Sequence, residues 1–436
     1  MKDKKNERKN GKKIGAYVLL TFALTIVFSM LMIICYLIPD SAVRSNVERS
    51  TEIIKNQGIH HRIVSDQSKF QVDNWTETYV LNMAIHTDDD PIKSAFRNPY
   101  YNLPTRSGLS GEEYRLQSLI VGLNEKANDS YGRYWQGYLV FIRPLLTIMN
   151  LSEIYVLLSI VLGILLIISC TLLAKEFGMI HATVFLLSML MVDIWMVGLS
   201  TKFFSSFAIA LIGLIAVCLG NYRINEYRTK KILFILGACT VFFDYMSTPL
   251  VALCIPMTVL LYRSRDTIEK MRIKASIIET MKVCASWILG WLCLGTMNWI
   301  IYIIASPSAA EALSTIILRL HNWTGSGNTQ IMNTSTMSGL GSVLQTTFPF
   351  VSNKVSLLIL CFFVVAPIII CLLKNKKKIV LTVSMMILPI LNVLWWIVLS
   401  ESVTVHAWCV YRAFAGVLYP LFVTWIYVIG KEKSNA

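Results

Sequence analysis

The sequence has few charged residues for its length. Only 15% of its 436 residues are Asp, Glu, Lys or Arg, whereas a soluble globular domain carries about 25%. Hydrophobic residues make up 55% of the chain, and the mean hydropathy is +0.57. Apolar runs of about 20 residues, the length that crosses a bilayer, recur along the whole chain. The composition therefore predicts an all-α polytopic membrane protein.

Several chemical signatures are also missing. The ten cysteines all fall in or beside apolar runs, so the two long polar segments, 39–150 and 306–352, contain none. This excludes a disulfide framework there, and no Cys-x-x-Cys metal pattern occurs. The chain has no P-loop, no Rossmann glycine pattern and no HExxH motif. An ATP-driven pump acting on its own is therefore not expected.

The basic residues indicate orientation rather than a nucleic-acid partner. The formal net charge is +14, but Lys and Arg cluster at the ends of apolar runs, where they set membrane topology. With a cytoplasmic N-terminus and about ten crossings, the basic clusters at 2–13, 223–231, 263–282 and 374–378 all lie inside. Both polar segments then lie outside. We expect a plasma-membrane protein with both termini in the cytoplasm and membrane lipids as neighbours.

The predicted domain organisation has three parts. Residues 1–38 form a basic N-terminus and an uncleaved first span, residues 39–150 an extracytoplasmic loop, and residues 151–436 a bundle with an outer loop at 306–352 that is expected to be flexible. A turn near Ser247–Pro249 divides the long apolar stretch 232–262, because otherwise two basic clusters would face outward. The ten predicted spans are at about 14–38, 152–173, 180–198, 202–219, 231–245, 248–262, 283–305, 354–373, 379–399 and 407–430.

The stretch QVDNWTETYVLN (71–82) places two acids and two aromatic residues close together in the first outer loop. If it is helical, Asp73 and Glu77 share a face, since they are four residues apart. Such a pair can act as a general base with a partner or hold a divalent cation. The alternative is an amphipathic surface helix whose acids face water.

HTDDDP (86–91) follows shortly after and contains Asp88 and Asp89. Acids before a proline most often form a solvated turn or a helix cap. A weaker interpretation is a site for Mg²⁺ or Mn²⁺ formed with Asp88 and Asp89.

Aromatic residues and arginine are combined in YGRYWQGYLVFIRPLL (131–146). We expect residues 134–150 to form an interfacial helix, because Arg143 and Pro144 interrupt an otherwise apolar run. Tyr134 and Trp135 could be interfacial anchors, or, with Trp75, a platform for a sugar ring. Arg143 could clamp a phosphate.

Three ionisable residues fall in two apolar stretches near the outer surface. FFDYMSTP (242–249) contains Asp244, and VHAWCVYRAFAG (405–416) contains His406 and Arg412. An ionisable residue in a membrane span is costly and indicates function or a specific partner. Asp244 could pair with Arg412 or cap a helix end, and Arg412 could bind a lipid phosphate or extend to the headgroups.

The layout, together with DNWTE, YWQGYLVFIRPLL, FFDYMSTP and HAWCVYR, resembles the C-type (GT-C) membrane glycosyltransferases and a group of bacterial membrane proteins with the same layout. The resemblance implies a GT-C-like fold with transfer of a sugar from a polyprenyl phosphate to a cell-envelope glycan or lipid acceptor. It places the catalytic carboxylate in the first outer loop. Asp73 matches in its surroundings, whereas Asp40 matches in its closeness to the first span, so both remain candidates.

The resemblance assigns roles to the other residues. Glu77 would tune the base or bind a divalent cation, while Arg412, Arg143, His406 and Asp244 would form the lipid-phosphate site. A second interpretation is a flippase or transporter of lipid-linked saccharides, which would use the same cationic and aromatic groups without a base. Transporters commonly contain internal repeats, and no convincing second copy of the interrupted stretch 232–262 is visible, which favours the enzyme.

Overall fold

The protein is an all-α membrane protein. The first helix, α1 (Lys2–Tyr36), continues without a break through the basic N-terminal flank into the first apolar run. The computed structural model describes residues 2–64, 67–104, 108–244, 248–324 and 338–430.

A small polar domain follows α1. It has a core of its own, in which Val80 and Leu119 are fully buried, and this core is continuous with Phe28 and Met32 of α1. The domain thereby packs on the membrane helices. Its elements, in chain order, are α2 (Asp40–Gln57), α3 (Asn74–Ala84), α4 (Pro91–Arg97), β1 (Pro99–Tyr100), α5 (Gly111–Gly122), β2 (Asp129–Ser130), which pairs antiparallel with β1, and α6 (Leu139–Leu146).

The remaining chain forms the helix bundle, whose core is dominated by buried aliphatic and aromatic side chains of α9, α11 and α20. These helices, in chain order, are α7 (Leu151–Phe177), α8 (Met179–Leu190), α9 (Thr201–Leu219), α10 (Tyr227–Phe243), α11 (Val251–Arg263), α12 (Arg265–Ile268), α13 (Ile273–Ala305), α14 (Ala309–Thr324), α15 (Ser338–Thr347), α16 (Asn353–Lys374), α17 (Ile379–Val398), α18 (Ser400–Val405), α19 (Ala407–Val410) and α20 (Ala415–Ile429).

Within the described part of the chain, seven helical segments are long and apolar enough to cross a membrane. Two further apolar helices, α8 and α11, are shorter. This agrees with a multi-pass protein, while the number of crossings and the side on which the termini lie stay predictions. The seven segments are Lys13–Tyr36, Leu151–Phe177, Thr201–Leu219, Ile273–Ala305, Asn353–Lys374, Lys376–Val398 and Ala407–Ile429.

Two sequence expectations need correction. The span expected at 180–198 is not one helix, because α8 ends at Leu190 and a separate 3-10 helix covers Ile194–Leu199. Asp193 between them adopts a left-handed conformation with φ 51°. The outer loop 306–352, expected to be flexible, contains α14 and α15, while residues 325–337 lie outside the described residues. Its Ser and Gly residues therefore do not prevent helix formation on either side.

Close helix contacts in the bundle depend on glycine. At the crossing of α10 and α13, a Cβ on Gly237 would lie 2.0 Å from the Trp287 carbonyl oxygen, and one on Gly290 would lie 2.0 Å from the Phe234 carbonyl oxygen. Small residues let membrane helices approach until their backbones touch, and van der Waals packing then stabilises the pair. This crossing fixes α10 beside α13, and Asp244 directly follows the last residue of α10.

Candidate functional site

Asp73 lies at the N-terminus of α3, as a capping residue. Its Oδ1 accepts a hydrogen bond from the Thr76 backbone N–H at 3.2 Å, and its Oδ2 accepts one from the Thr76 hydroxyl at 2.7 Å. A carboxylate in this position satisfies a free backbone donor and interacts favourably with the helix dipole. Asp73 is 4% exposed, so the carboxylate does not face bulk solvent. The stretch 71–82 is therefore helical from Asn74 onward.

Glu77 lies one turn further along α3 and is completely buried. It accepts hydrogen bonds from the Thr201 backbone N–H at 2.9 Å and from the Thr201 hydroxyl at 2.8 Å. Burial raises the pKa of the Glu77 carboxyl to about 8; the Thr201 hydrogen bonds oppose the rise and the charge of Asp73 adds to it. Glu77 is therefore mostly protonated at neutral pH, and it fastens α3 to the start of α9.

Lys202 completes this contact between the polar domain and the bundle. Its Nζ lies 3.4 Å from Asp73 Oδ2, and both side chains are nearly enclosed. Lys202 also interacts electrostatically with Asp244 and Cys409, which places α3, α9, the end of α10 and α19 around one point. The sequence analysis did not select Lys202. The available signal was a lysine at the second position of an apolar helix, where a buried cation needs an anionic partner.

Arg412 lies in a 3-10 turn, Tyr411–Phe414, that interrupts the last span. Its side chain is 1% exposed, and its guanidinium lies 5.6 Å from the Phe203 ring, which Lys202 also approaches at 5.1 Å. The two cations therefore share one aromatic neighbour. Arg412 donates a hydrogen bond to the Lys69 carbonyl oxygen at 2.8 Å.

Lys69 links the polar domain to the bundle at this point. Its ammonium lies 3.3 Å from the Asp193 carboxylate, and the Tyr411 hydroxyl donates to the same carboxylate at 2.7 Å. Asp193, the acid that this network brings towards Arg412, is thus already bound by Lys69 and Tyr411. The pairing of Arg412 with Asp244 that the sequence allowed is replaced by the contact with Lys69, whereas Asp244 interacts with Lys202.

His406 and Tyr134 border the same region. His406 is within electrostatic range of Lys202, Asp73 and Arg319. Arg319 of α14 donates a hydrogen bond to the Tyr134 hydroxyl at 2.6 Å. The segment after β2 and the first helix of the 306–352 region therefore meet beside the Asp73–Lys202 pair.

The other two aromatic residues of the expected sugar platform differ in their environment. Trp135 is 2% exposed, donates a hydrogen bond to the Leu294 carbonyl oxygen at 2.8 Å and packs edge-on against Phe28 and Phe242. Its position is that of a core residue joining the polar domain to α1, α10 and α13. Trp75 is half-buried, with the Arg115 guanidinium 5.9 Å from its ring.

Arg143 and Asp40 form a separate contact. The fully buried Arg143 donates to the Ile38 carbonyl oxygen at 2.5 Å and to Asp40 Oδ1 at 3.1 Å. The Thr87 hydroxyl donates to Asp40 Oδ2 at 2.7 Å. These bonds join the end of α1, the start of α2 and α6. The arginine and the acid that the sequence analysis considered for phosphate binding and for the base are therefore paired with each other.

The HTDDDP segment mainly shapes α4. Asp90 caps α4 by accepting from the Ile92 N–H at 2.8 Å, and Asp88 pairs with Arg97 at 2.8 Å. Asp89 is exposed. Among the residues that the structure describes, no group of three His, Cys, Asp or Glu side chains is close enough to hold a metal ion.

Comparisons with known proteins do not identify a relative. A scan against protein-family models, a search of curated proteins and a search of solved structures all find no match. The interpretation of the site therefore depends on its own residues.

Proposed function

We propose that the protein is a membrane glycosyltransferase that moves a sugar from a polyprenyl-phosphate donor to a hydroxyl of a cell-envelope acceptor on the extracytoplasmic face. The resemblance to GT-C enzymes suggests this reaction, and the arrangement around Asp73 supports it. A base for the acceptor and cations for the phosphate are the two elements that the reaction requires, and both are near each other in this site.

The observation that carries the proposal is the buried guanidinium of Arg412. Across the described residues, no carboxylate lies within ion-pair distance of it, and its Nε has no hydrogen-bond partner. A buried cation is costly unless it is compensated. The phosphate of a lipid donor would supply the missing charge, and guanidinium groups bind phosphate oxygens through paired hydrogen bonds.

The reaction then proceeds by direct displacement. The acceptor oxygen attacks the anomeric carbon while its proton passes to Asp73, and the bond between that carbon and the phosphate oxygen breaks. The negative charge that grows on the leaving phosphate is stabilised by Arg412 and Lys202. Lys202 and the N-terminus of α3 hold the Asp73 carboxylate in position. Glu77 binds Thr201 and thereby positions the neighbouring Lys202. Arg143 takes no part in the reaction.

The test is transfer of radiolabelled sugar from a polyprenyl-phosphate donor in detergent, with membrane extract as the source of acceptor. Asp73→Asn keeps the cap on α3 but removes the base, and the transfer rate should fall at least about a hundredfold. Asp266→Asn is the matched control, because the Asp266 side chain is 80% exposed. Transfer at the normal rate by the Asp73 variant would refute the assignment.

The flippase interpretation predicts a different result. A flippase leaves the label on the polyprenyl phosphate and moves the lipid between leaflets. If purified protein in vesicles translocates labelled lipid and transfers no sugar to any acceptor fraction, the transporter replaces the enzyme as the better proposal.

A further inference from the structure

A cavity of about 510 Å³ lies between the end of α2, the segment leading to α3 and the first part of α7. Its opening is apolar. Val156 and Ile160 of α7, which line it, are 61% and 54% exposed, and Ile63 is 46% exposed. Since α7 is long and apolar enough to span the bilayer, the exposed Val156 and Ile160 would face lipid tails when α7 is in the membrane. The cavity therefore opens sideways into the membrane.

Two residues of the cavity wall connect it to the proposed active site. Val72, which lines it, directly precedes Asp73, and Tyr155 lines it from α7. Tyr155 interacts with the Glu77 carboxyl on its other side. A molecule in the cavity would thus contact Val72, which directly precedes the proposed base in the chain.

The lining favours an uncharged, hydroxylated occupant. Among the described residues that line the cavity, none is Lys, Arg, Asp or Glu, so nothing there compensates a phosphate or an ammonium. The polar groups that are present can both donate and accept hydrogen bonds. They are Gln57, His61, Ser152, Tyr155 and Ser159. The volume is within the range of about 300–1,000 Å³ that is usual for small-molecule sites.

We propose that this cavity binds a neutral lipid with a hydroxyl-bearing headgroup, and that this lipid is the sugar acceptor. The binding of the lipid stands on the cavity alone, whereas its role as acceptor rests on the proposed function. The two substrates then reach Asp73 by different routes. The anionic donor is held by the cations Arg412 and Lys202, and the neutral acceptor approaches from the α7 side.

The experiment is photolabelling in vesicles. The full-length protein is placed in phosphatidylethanolamine and phosphatidylglycerol vesicles with a trace of monoglucosyl diacylglycerol that carries a diazirine on one acyl chain. Label should concentrate on the peptide that contains Val156 and Ile160. Val156→Trp should reduce it about tenfold, since displacing about two methylene groups from the cavity removes that much affinity. Ile160→Trp should act in the same direction.

The matched control is Ile167→Trp, because Ile167 lies on the same helix, is 68% exposed and does not line the cavity. It should label like the unmodified protein, and excess phosphatidylglycerol should not compete. Even labelling along α7, or equal labelling of the Val156 and Ile167 variants, would show ordinary surrounding lipid and overturn the proposal. Displacement by phosphatidylglycerol would overturn its choice of a neutral lipid.

The labelling needs no sugar transfer, so the two proposals can fail separately. Specific labelling together with unimpaired transfer by the Asp73→Asn protein would refute the enzymatic mechanism and keep the lipid site. Loss of transfer in that variant together with unspecific labelling would refute the lipid site and keep the mechanism.

Discussion

Glu77 provides a quantitative test of how the polar domain is joined to the bundle. The carboxyl is fully buried and bound to Thr201, and its pKa is raised by burial from 4.5 to about 8. Replacing it with Gln keeps the shape and an acceptor for the Thr201 N–H but removes the ionisation. We expect this variant to lose most of the pH dependence of stability that Glu77 causes.

The sign and size follow from linkage. A carboxyl whose pKa is higher in the folded state makes its full contribution to stability at pH values below its pKa in the unfolded chain. This contribution is lost as the pH rises through the pKa of the folded state. Between about pH 5.5 and about pH 7.5 the folded protein holds about one proton more than the unfolded chain, which corresponds to about 3 kcal/mol. Since the entropy of unfolding is about 0.9 kcal/mol/K for 436 residues, that is a decrease of about 3 °C in the unfolding midpoint.

The assay is thermal unfolding in detergent at a fixed scan rate, followed with a thiol-reactive fluorophore. It suits this protein because only Cys361 of the ten cysteines is exposed. The midpoint of the unmodified protein should fall by about 3 °C more than that of Glu77→Gln across that pH range. Glu52→Gln is the control, since the Glu52 side chain is 62% exposed. An identical pH slope in the Glu77 variant and the unmodified protein would refute the reasoning.

Three further substitutions test other contacts. Lys202→Met should lower the rate of sugar transfer at least about tenfold, whereas Lys202→Arg should retain more of the rate because it keeps the positive charge. Equal transfer rates in the two variants would contradict the proposed role of Lys202. Arg143→Gln should lower the free energy of unfolding in urea by about 2 kcal/mol, which is less than the loss of a fully buried ion pair because Asp40 is 28% exposed. Sugar transfer by the protein that remains folded should be unchanged. Loss of transfer in folded protein would show that Arg143 belongs to the active site. Gly290→Val should lower the free energy of unfolding by about 3 kcal/mol in a thermal melt, because a Cβ there would lie 2.0 Å from a carbonyl oxygen of α10. An unchanged melting midpoint would show that α10 and α13 can move apart to accept the side chain.

Local features of the site were predictable from the sequence because they depend on neighbouring residues. The spacing of Asp73 and Glu77 predicts that they share a helix face, and the structure has both acids at the start of α3. The apolar runs likewise predict most of the long helices. By contrast, the partners of these acids, Lys202 and Thr201, are more than a hundred residues away along the chain. Without the packing of α3 on α9, no local pattern connects them.

The errors have physical causes of the same kind. The run 180–198 is apolar throughout, but hydropathy does not report the left-handed turn at Asp193 that ends the helical region. Trp135 and Arg143 have the composition of a surface platform, yet long-range contacts with Leu294 and Asp40 make them interior residues. Burial of an amphipathic side chain depends on which elements pack against it, and that is set by the whole fold.

The central claim is that Asp73 faces the anomeric carbon of a lipid-linked sugar whose phosphate is held by Arg412 and Lys202. The most direct measurement is a structure of the Asp73→Asn protein with a polyprenyl-phosphate sugar bound in a lipid nanodisc. The account predicts that the side chain at position 73 lies nearer to the anomeric carbon than any carboxyl group of the protein, and that the phosphate contacts the Arg412 guanidinium. A sugar located at Asp40, with its phosphate on Arg143, would contradict it.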